Sequence, residues 1–124
     1  MSFLVLKAYL QLIRFDFHLA RADFAVLYKE VRDEPLRNRT KPVPSIDQVC
    51  RAVDIACIWY WKQVLCLQRS AATACLLKRY GWGTEMVIGA QQTPFKAHAW
   101  VEVNGCVVND KSYMSEIYAV LDRC

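Results

Sequence analysis

The sequence predicts one α+β domain, with helices in the first two thirds of the chain and an antiparallel sheet in the last third. Up to about residue 82 the apolar side chains recur at helical spacing, and beyond it they alternate as along a strand. Asn104-Gly105, between two apolar runs, is the strongest hairpin signal. Helices followed by an antiparallel meander define the α+β class. A chain of 124 residues fits one domain, with N-terminal helices and a Pro-rich connection in 1–62 and a core in 63–124.

Two helices are expected before the Pro-rich connection. Apolar residues from position 4 to 13 indicate the first helix, and residues 20–31 indicate the second, with apolar side chains at i, i+3, i+4 and i+7. Three prolines, at positions 35, 42 and 44, then predict an irregular segment.

The next two helices are predicted from their end signals. Ser45 and Gln48 fit a capping box, which starts a third helix. No Gly or Pro follows before Gly81, so local rules permit one very long helix, although aromatic-rich turns around residues 59–61 suggest a break near 62–65. Residues 66–80 are rich in Ala and Leu, end on a basic turn and precede Gly81. We therefore predict a fourth helix there, apolar on most sides and buried.

Strands are predicted at residues 85–91, 97–103 and 106–110. Residues 117–121 are expected to form a further short strand, with a C-terminal helix as the alternative.

Composition and charge exclude several classes of protein. A chain that is 55% hydrophobic is not disordered, and a net charge of +4 spread over both halves lacks the basic stripe of a nucleic-acid binder. The longest uncharged run, residues 86–95, is far shorter than the roughly 20 residues of a membrane span. The N-terminus also lacks the basic region of a signal peptide. We therefore expect a cytoplasmic protein that binds neither nucleic acid nor membrane.

Cysteine usage argues against a disulfide scaffold and against a metal site. Six cysteines in 124 residues are too few for such a scaffold and are expected as free thiols in a reducing compartment. No C-x-x-C pair occurs and the chain has two histidines, so no metal is expected. The absence of a Gly-rich phosphate loop argues against a nucleotide cofactor.

His98 is the candidate base. By alternation it shares a strand face with Trp100 and Glu102, and a hairpin brings it beside Asp110, whose carboxylate could orient the imidazole. A lone strand histidine is more often structural, and Asp–His pairs are also common as plain ion pairs.

Cys66 is the candidate nucleophile. It lies at the expected start of a buried helix, where a thiolate is stabilised. Cys50, Cys57 and Cys75 follow the helical periodicity and are interpreted as packing residues. A single Cys with a distant His is a loose signature of catalysis, so the residues alone leave this set as one possibility.

The geometry of the hairpin decides whether His98 and Asp110 can meet. A two-residue loop would turn the Asp110 carboxylate away, whereas a three-residue loop of residues 103–105 pairs His98 directly with Asp110. We therefore predict a bulged loop with positive φ at Gly105 and an ordinary turn conformation at Asn104. The alternative is that Asp110 lies beyond the strand end and reaches His98 from irregular backbone.

Several short motifs resemble those of the leader peptidases of lasso-peptide biosynthesis. They are C-L-Q-R-S at 66–70, L-L-K-R-Y-G at 76–81, V-I-G at 87–89, P-F-K-A-H-A-W-V-E at 94–102 and V-V-N-D at 107–110. The resemblance implies a transglutaminase-like, papain-related core with a helix break just before Cys66. It also implies a catalytic triad in which Cys66 is the nucleophile, His98 the base and Asp110 the orienting acid.

The resemblance further implies a reaction and its partners. The reaction is hydrolysis of the amide bond between leader and core of a ribosomally made precursor peptide. Because the chain begins directly with the helices, it looks like a stand-alone protease half, which implies a separate leader-recognition protein. An ATP-dependent macrolactam synthetase is the third implied partner, since the freed α-amine is its substrate.

Some roles stay open at this stage. Trp100 and Arg69 are candidate substrate-binding residues, with core packing and a structural ion pair as their respective alternatives. The backbone N–H of Cys66 is a candidate oxyanion donor, and a second donor is unassigned, since Gln63 is better interpreted as a solvated helix-end residue. Two other functions are possible, namely a non-catalytic peptide-binding partner of the cyclase and a transglutaminase-like acyl transferase.

Overall fold

A computed structural model describes residues 3–38, 43–92 and 95–124, and it confirms the α+β class. Pro42 of the predicted connection and Pro94 of the fourth motif lie outside the described residues. The helices within these ranges are α1 (Phe3–Ala20), α2 (Phe24–Asp33), α3 (Ile46–Trp59), α4 (Cys66–Arg79) and α5 (Met114–Ile117). The strands are β1 (Glu85–Gln92), β2 (Phe95–Val103), β3 (Cys106–Val107) and β4 (Ala119–Arg123). They form an antiparallel sheet in the order β3-β2-β1-β4.

The boundary between the first two helices differs from the prediction. α1 continues to Ala20, inside the predicted second helix, and α2 starts only at Phe24. The break lies at Ala22, which has a φ of +53°. Asp23 then caps α2, since its side chain accepts a hydrogen bond from the Val26 N–H.

The capping box and the start of α4 are as predicted. The Gln48 N–H donates to the Ser45 hydroxyl oxygen at 3.2 Å, and the Ser45 N–H donates to the Gln48 side chain at 2.8 Å. α4 begins at Cys66 after a non-helical segment. The buried Gln68 fixes this start, because its side chain accepts from the Leu65 N–H and donates to the Leu12 carbonyl of α1 at 2.8 Å.

The main core lies between the first four helices and one face of the sheet. Most of α4 is buried there, as its apolar composition predicted, and β2 contributes Val101 and Val103. Alternation turns Trp100 to the opposite face, where it packs with Val87 and Met114 in a second, smaller cluster.

Gly89 of β1 lets this second cluster form. It pairs with His98 of β2, and a Cβ at this position would come within 2.7 Å of both the Trp100 ring and Tyr118. A Cβ atom does not tolerate contacts this short, so the packing of the Trp100 ring and the Tyr118 Cβ against β1 requires glycine at this position.

The C-terminal segment combines both alternatives considered from the sequence. α5 is a single helical turn, and β4 follows it two residues later than predicted and pairs with β1. Arg123 of β4 bonds the buried Glu102 carboxylate of β2 at 2.8 Å, which ties the chain end to the middle of the sheet.

The predicted hairpin register is wrong. Val103 pairs with Cys106 and Glu102 with Val107, which is the two-residue register. Asn104 and Gly105 both have positive φ, +52° and +78°. This is a type I′ turn, which Asn-Gly favours because its twist matches that of the strands.

Asp110 nevertheless reaches His98, because β3 ends at Val107 rather than at residue 110. The Val108 N–H still donates to the Val101 carbonyl at 3.0 Å, but the Val101 N–H donates to the Asn109 side-chain oxygen at 2.7 Å. Asn109 thus replaces a strand carbonyl, and the backbone leaves the ladder just before Asp110. This is the irregular-backbone alternative.

We expect Gly105→Val to lower the free energy of unfolding by about 1–3 kcal/mol, because a β-branched residue is strained at positive φ. Activity should fall with it, since the turn sets the path of the chain toward Asp110. Space is not the cause, because a Cβ at Gly105 meets no atom within 4 Å. Urea denaturation of Gly105→Val and Gly105→Asn measures the effect. Asn tolerates this conformation, so an equal loss in both variants would contradict the explanation.

Candidate active site

Cys66 and His98 line the same groove, which has a volume of about 350 Å³. Cys66 is partly exposed at the first position of α4. Backbone N–H groups in the first turn of a helix lack carbonyl partners within the helix and attract negative charge. The groove therefore has Cys66, His98 and a helix N-terminus in its wall.

Asp110 holds the imidazole of His98. His98 Nε2 and Asp110 Oδ2 are 2.7 Å apart, and the second carboxylate oxygen accepts from the Lys111 N–H at 2.8 Å. Burial raises the pKa of Asp110, but the His98 and Lys111 hydrogen bonds and the charges of His98 and Arg69 outweigh it, so its pKa lies below the ordinary value. The carboxylate thus stays ionised and fixes the orientation of the ring.

Arg69 faces Asp110 and is absent from the described residues that line the groove. One guanidinium nitrogen donates to the Asn109 carbonyl at 2.8 Å and lies 3.9 Å from the Asp110 carboxylate. Another lies 3.9 Å from Asp54 of α3. The sequence left two roles open for Arg69, substrate binding and a structural ion pair. These contacts are those of a structural ion pair.

Ser70 and Asn109 connect α4, β2 and the segment that carries Asp110. The Ser70 hydroxyl donates to the Ala99 carbonyl at 3.0 Å, and the Asn109 side-chain NH2 donates to Ser70 at 3.2 Å. Sequence reasoning missed both residues as positioning groups. Their signal was present, since each lies within a motif that also carries a proposed catalytic residue.

Trp100 is fully buried, so its predicted contact with substrate is corrected to the packing alternative. Its indole N–H donates to Glu102 at 2.8 Å. The His98 ring stacks on Tyr118 at 5.4 Å between centroids and on Trp100 at 6.3 Å. Trp100 and Tyr118 therefore pack against the His98 ring and limit its movement. No local sequence pattern indicated this role for Tyr118.

The cysteines within α3 and α4 differ from Cys66 in their surroundings. Burial raises the pKa of Cys50 and Cys57 to about 11 and that of Cys75 to about 12. At neutral pH these side chains are thiols, and a thiol is a poor nucleophile. None of the six cysteines is in a disulfide.

Residues 3–38, 43–92 and 95–124 contain no helix that is long and apolar enough to cross a membrane. Nor do they contain a cluster of three or more His, Cys, Asp or Glu side chains that could hold a metal ion. Gln63 is exposed and absent from the described lining of the groove.

Comparison with known proteins decides the family. The profile of the transglutaminase-like superfamily matches residues 9–123. This chain belongs to that superfamily. The transglutaminase-like match extends from α1 to β4, so the helices and the sheet around the groove belong to one family unit.

The chain also resembles part of a curated protein. Over 56 residues it is 38% identical to the microcin J25-processing protein McjB of Escherichia coli. The matched segment is 45% of this transglutaminase-like chain and 27% of McjB, so the chain spans about a quarter of that relative. No solved structure gives a significant match.

Proposed function

We propose that this chain is a cysteine peptidase that hydrolyses the leader–core amide bond of a ribosomally made lasso-peptide precursor, with Cys66, His98 and Asp110 as its triad. The observation that carries the proposal is a groove lined by Cys66 and His98, with His98 hydrogen-bonded to Asp110. The similarity to McjB, a protein named for processing microcin J25, supports a peptide precursor as substrate.

The first half of the reaction transfers the leader to the enzyme. Because Asp110 occupies Nε2 of His98, Nδ1 is the nitrogen left to take the Cys66 thiol proton. The thiolate attacks the scissile carbonyl, and the Cys66 N–H at the start of α4 stabilises the oxyanion. The carbon–nitrogen bond then breaks, and the His98 imidazolium gives its proton to the leaving amine of the core peptide.

The second half releases the leader. His98 takes a proton from water, whose oxygen attacks the thioester carbonyl. The carbon–sulfur bond breaks, and the His98 imidazolium returns its proton to the Cys66 thiolate, which restores the thiol. The leader leaves as a carboxylic acid, which loses its proton to the solvent. Asp110 stabilises the imidazolium that forms in each half, which requires the hydrogen bond between the two residues.

Product analysis distinguishes this proposal from its two rivals. The protein is mixed with precursor and the leader-recognition protein, and the products are identified by mass spectrometry. Hydrolysis yields free leader and free core. A cross-linked product would instead indicate acyl transfer to an amine, and intact precursor would indicate a binding module.

We assign the docking surface for the leader-recognition protein to an exposed apolar stripe on α1. It consists of Phe3, Leu6, Leu10, Ile13 and Phe17, which are 45–70% exposed. Their alternating spacing of three and four residues forms a seam of the kind that packs against another helix. The opposite face of α1, with Leu12 and Phe15, is in the core.

The charges beside the stripe indicate the chemistry of its partner. The basic side chains of Lys7 and Arg21 lie over the rings of Phe3 and Phe17. A partner with an apolar centre and acidic edges would complement them, whereas a second copy of this chain would bring like charges together.

Replacing Leu10 and Ile13 by Glu should abolish the stimulation of cleavage by the leader-recognition protein. At sub-saturating precursor we expect the ratio of rates with and without that protein to fall from about 10² to about 1. The control is Leu121→Glu, the same kind of substitution at a side chain that is 65% exposed on β4, and it is compared with Leu10→Glu and Ile13→Glu made singly. A wild-type ratio of 1, or an unchanged ratio in the double variant, would contradict the assignment.

A further inference from the structure

We propose that the groove beside Cys66 is a subsite for one large apolar side chain of the substrate, next to the bond that is cleaved. This inference rests on the proposed function and adds a requirement on the peptide sequence. Besides Cys66 and His98, the residues that line the groove include Leu19, Phe24, Tyr28, Ile88 and Ala97.

The chemistry of the walls selects the occupant. The described lining residues include no Asp, Glu, Lys or Arg, and apart from Cys66 and His98 they are aliphatic or aromatic. A charged substrate side chain would lose its hydration there without gaining a partner, whereas an apolar one would leave water. The groove therefore discriminates by polarity.

The size and position of the groove fit a side chain of a bound peptide. A volume of about 350 Å³ lies in the usual range for ligand pockets and has room for a leucine- to tryptophan-sized group. Because Cys66 and His98 are part of the wall, the bound side chain belongs to a residue within one or two positions of the attacked carbonyl. An extended peptide advances only about 3.3 Å per residue.

The helices α1 and α2 gain a role in substrate selection from this arrangement. Leu19 near the end of α1 and Phe24 and Tyr28 on α2 line part of the groove, and they are contributed by the N-terminal helices alone. Phe24, the first residue of α2, has a large aromatic side chain that is 51% exposed. A bound apolar side chain would cover part of this ring, which is a favourable use of an exposed aromatic.

Peptidyl chloromethyl ketones test the subsite without a known precursor. Capped tripeptide probes carry glycine at all positions but one, which is Leu, Phe, Ala, Asp or Lys. The Cys66 thiolate displaces chloride and forms a thioether. Peptide mapping identifies Cys66 as the labelled residue, and the rate of labelling at several probe concentrations gives KI and kinact. At one probe position we expect Leu or Phe to bind about 10- to 100-fold more tightly than Ala, with Asp and Lys weaker than Ala.

Two variants change the groove from opposite sides. Ala97 is exposed, so Ala97→Leu can fill the groove without disturbing the core, and it should abolish the preference for Leu and Phe. Phe24→Ala should raise KI for the apolar probes with little change in kinact, a split that a general loss of structure would not give. Phe95→Ala is the matched control, since Phe95 is 74% exposed and absent from the described lining.

The outcomes separate the inference from the proposed function. Rapid alkylation of Cys66 with no apolar preference at any position, or a preference that survives Ala97→Leu, would overturn the subsite alone. If no probe labels Cys66 faster than the exposed Cys106, the proposed function fails and the subsite fails with it.

Discussion

Cys66→Ala should abolish leader cleavage while leaving the fold intact. Removing the sulfur removes the attacking atom, so we expect kcat/KM to fall by about 10⁴-fold or more. Cys66 is only partly buried, and alanine is a good helix former, so the free energy of unfolding should change little. Cleavage is measured by mass spectrometry on precursor, and the fold by circular dichroism.

The controls for this prediction are the other helix cysteines. Cys57→Ala and Cys75→Ala should keep most of the activity per folded molecule, because burial raises the pKa of both thiols and they act as packing residues. Near wild-type cleavage by Cys66→Ala would show that the nucleophile is another residue.

Asp110→Ala should lower kcat/KM by about 10²- to 10⁴-fold, because His98 loses the partner that orients its ring and stabilises its charge. Asp110→Asn keeps a hydrogen-bonding group without the charge, so its loss should be smaller. Asp122→Ala is a matched control, since Asp122 accepts from the next backbone N–H at 2.8 Å just as Asp110 does. Equal activity of wild type and Asp110→Ala would make the pair merely structural.

The Asp110 pair also has a stability signature that depends on pH. The folded-state pKa of Asp110 lies below its ordinary 3.8, so the ionised carboxylate stabilises the fold above that value. The contribution is lost as the pH falls through the depressed pKa. The difference in unfolding free energy between wild type and Asp110→Ala should therefore shrink on acidification, as urea titrations at several pH values would measure.

The sequence could predict the elements whose signals are local. The capping box at Ser45 and the glycine that follows α4 are signals carried by neighbouring residues. Local rules permit one long helix up to Gly81, so the break just before Cys66 follows from the family resemblance and not from a local pattern. The end of α1 was missed because the helical periodicity continues past it. Asp23, a good N-cap residue, was the local sign of the boundary.

The hairpin shows why a correct juxtaposition can rest on a wrong register. Local rules relate His98 to Asp110 by counting residue pairs from the turn, on the assumption that the hydrogen-bonded pairing of the two strands continues without a break. The actual path depends on Asn109, which takes the Val101 N–H and also bonds Ser70 of α4. Such a contact between distant parts of the chain has no periodicity that could reveal it.

The support behind His98 was hidden for a similar reason. Trp100, Tyr118 and Gly89 come from three different strands or their flanks, and they meet only after the sheet has formed. Alternation placed Trp100 on the face of His98, but whether that face is a cleft or a core depends on what covers it. Here Tyr118 and Met114 cover it.

Trapping the covalent intermediate is the most direct test of the central claim, that Cys66 attacks the leader–core bond. Precursor and leader-recognition protein are mixed with the enzyme, the reaction is quenched in acid within the first turnover, and the adduct is mapped by mass spectrometry. We predict that the enzyme gains the mass of the leader acyl group, attached as a thioester to Cys66. An adduct on a different residue would contradict this claim. So would the accumulation of free leader and free core while Cys66 stays unmodified, if that result were found both in the wild type and in Asp110→Ala.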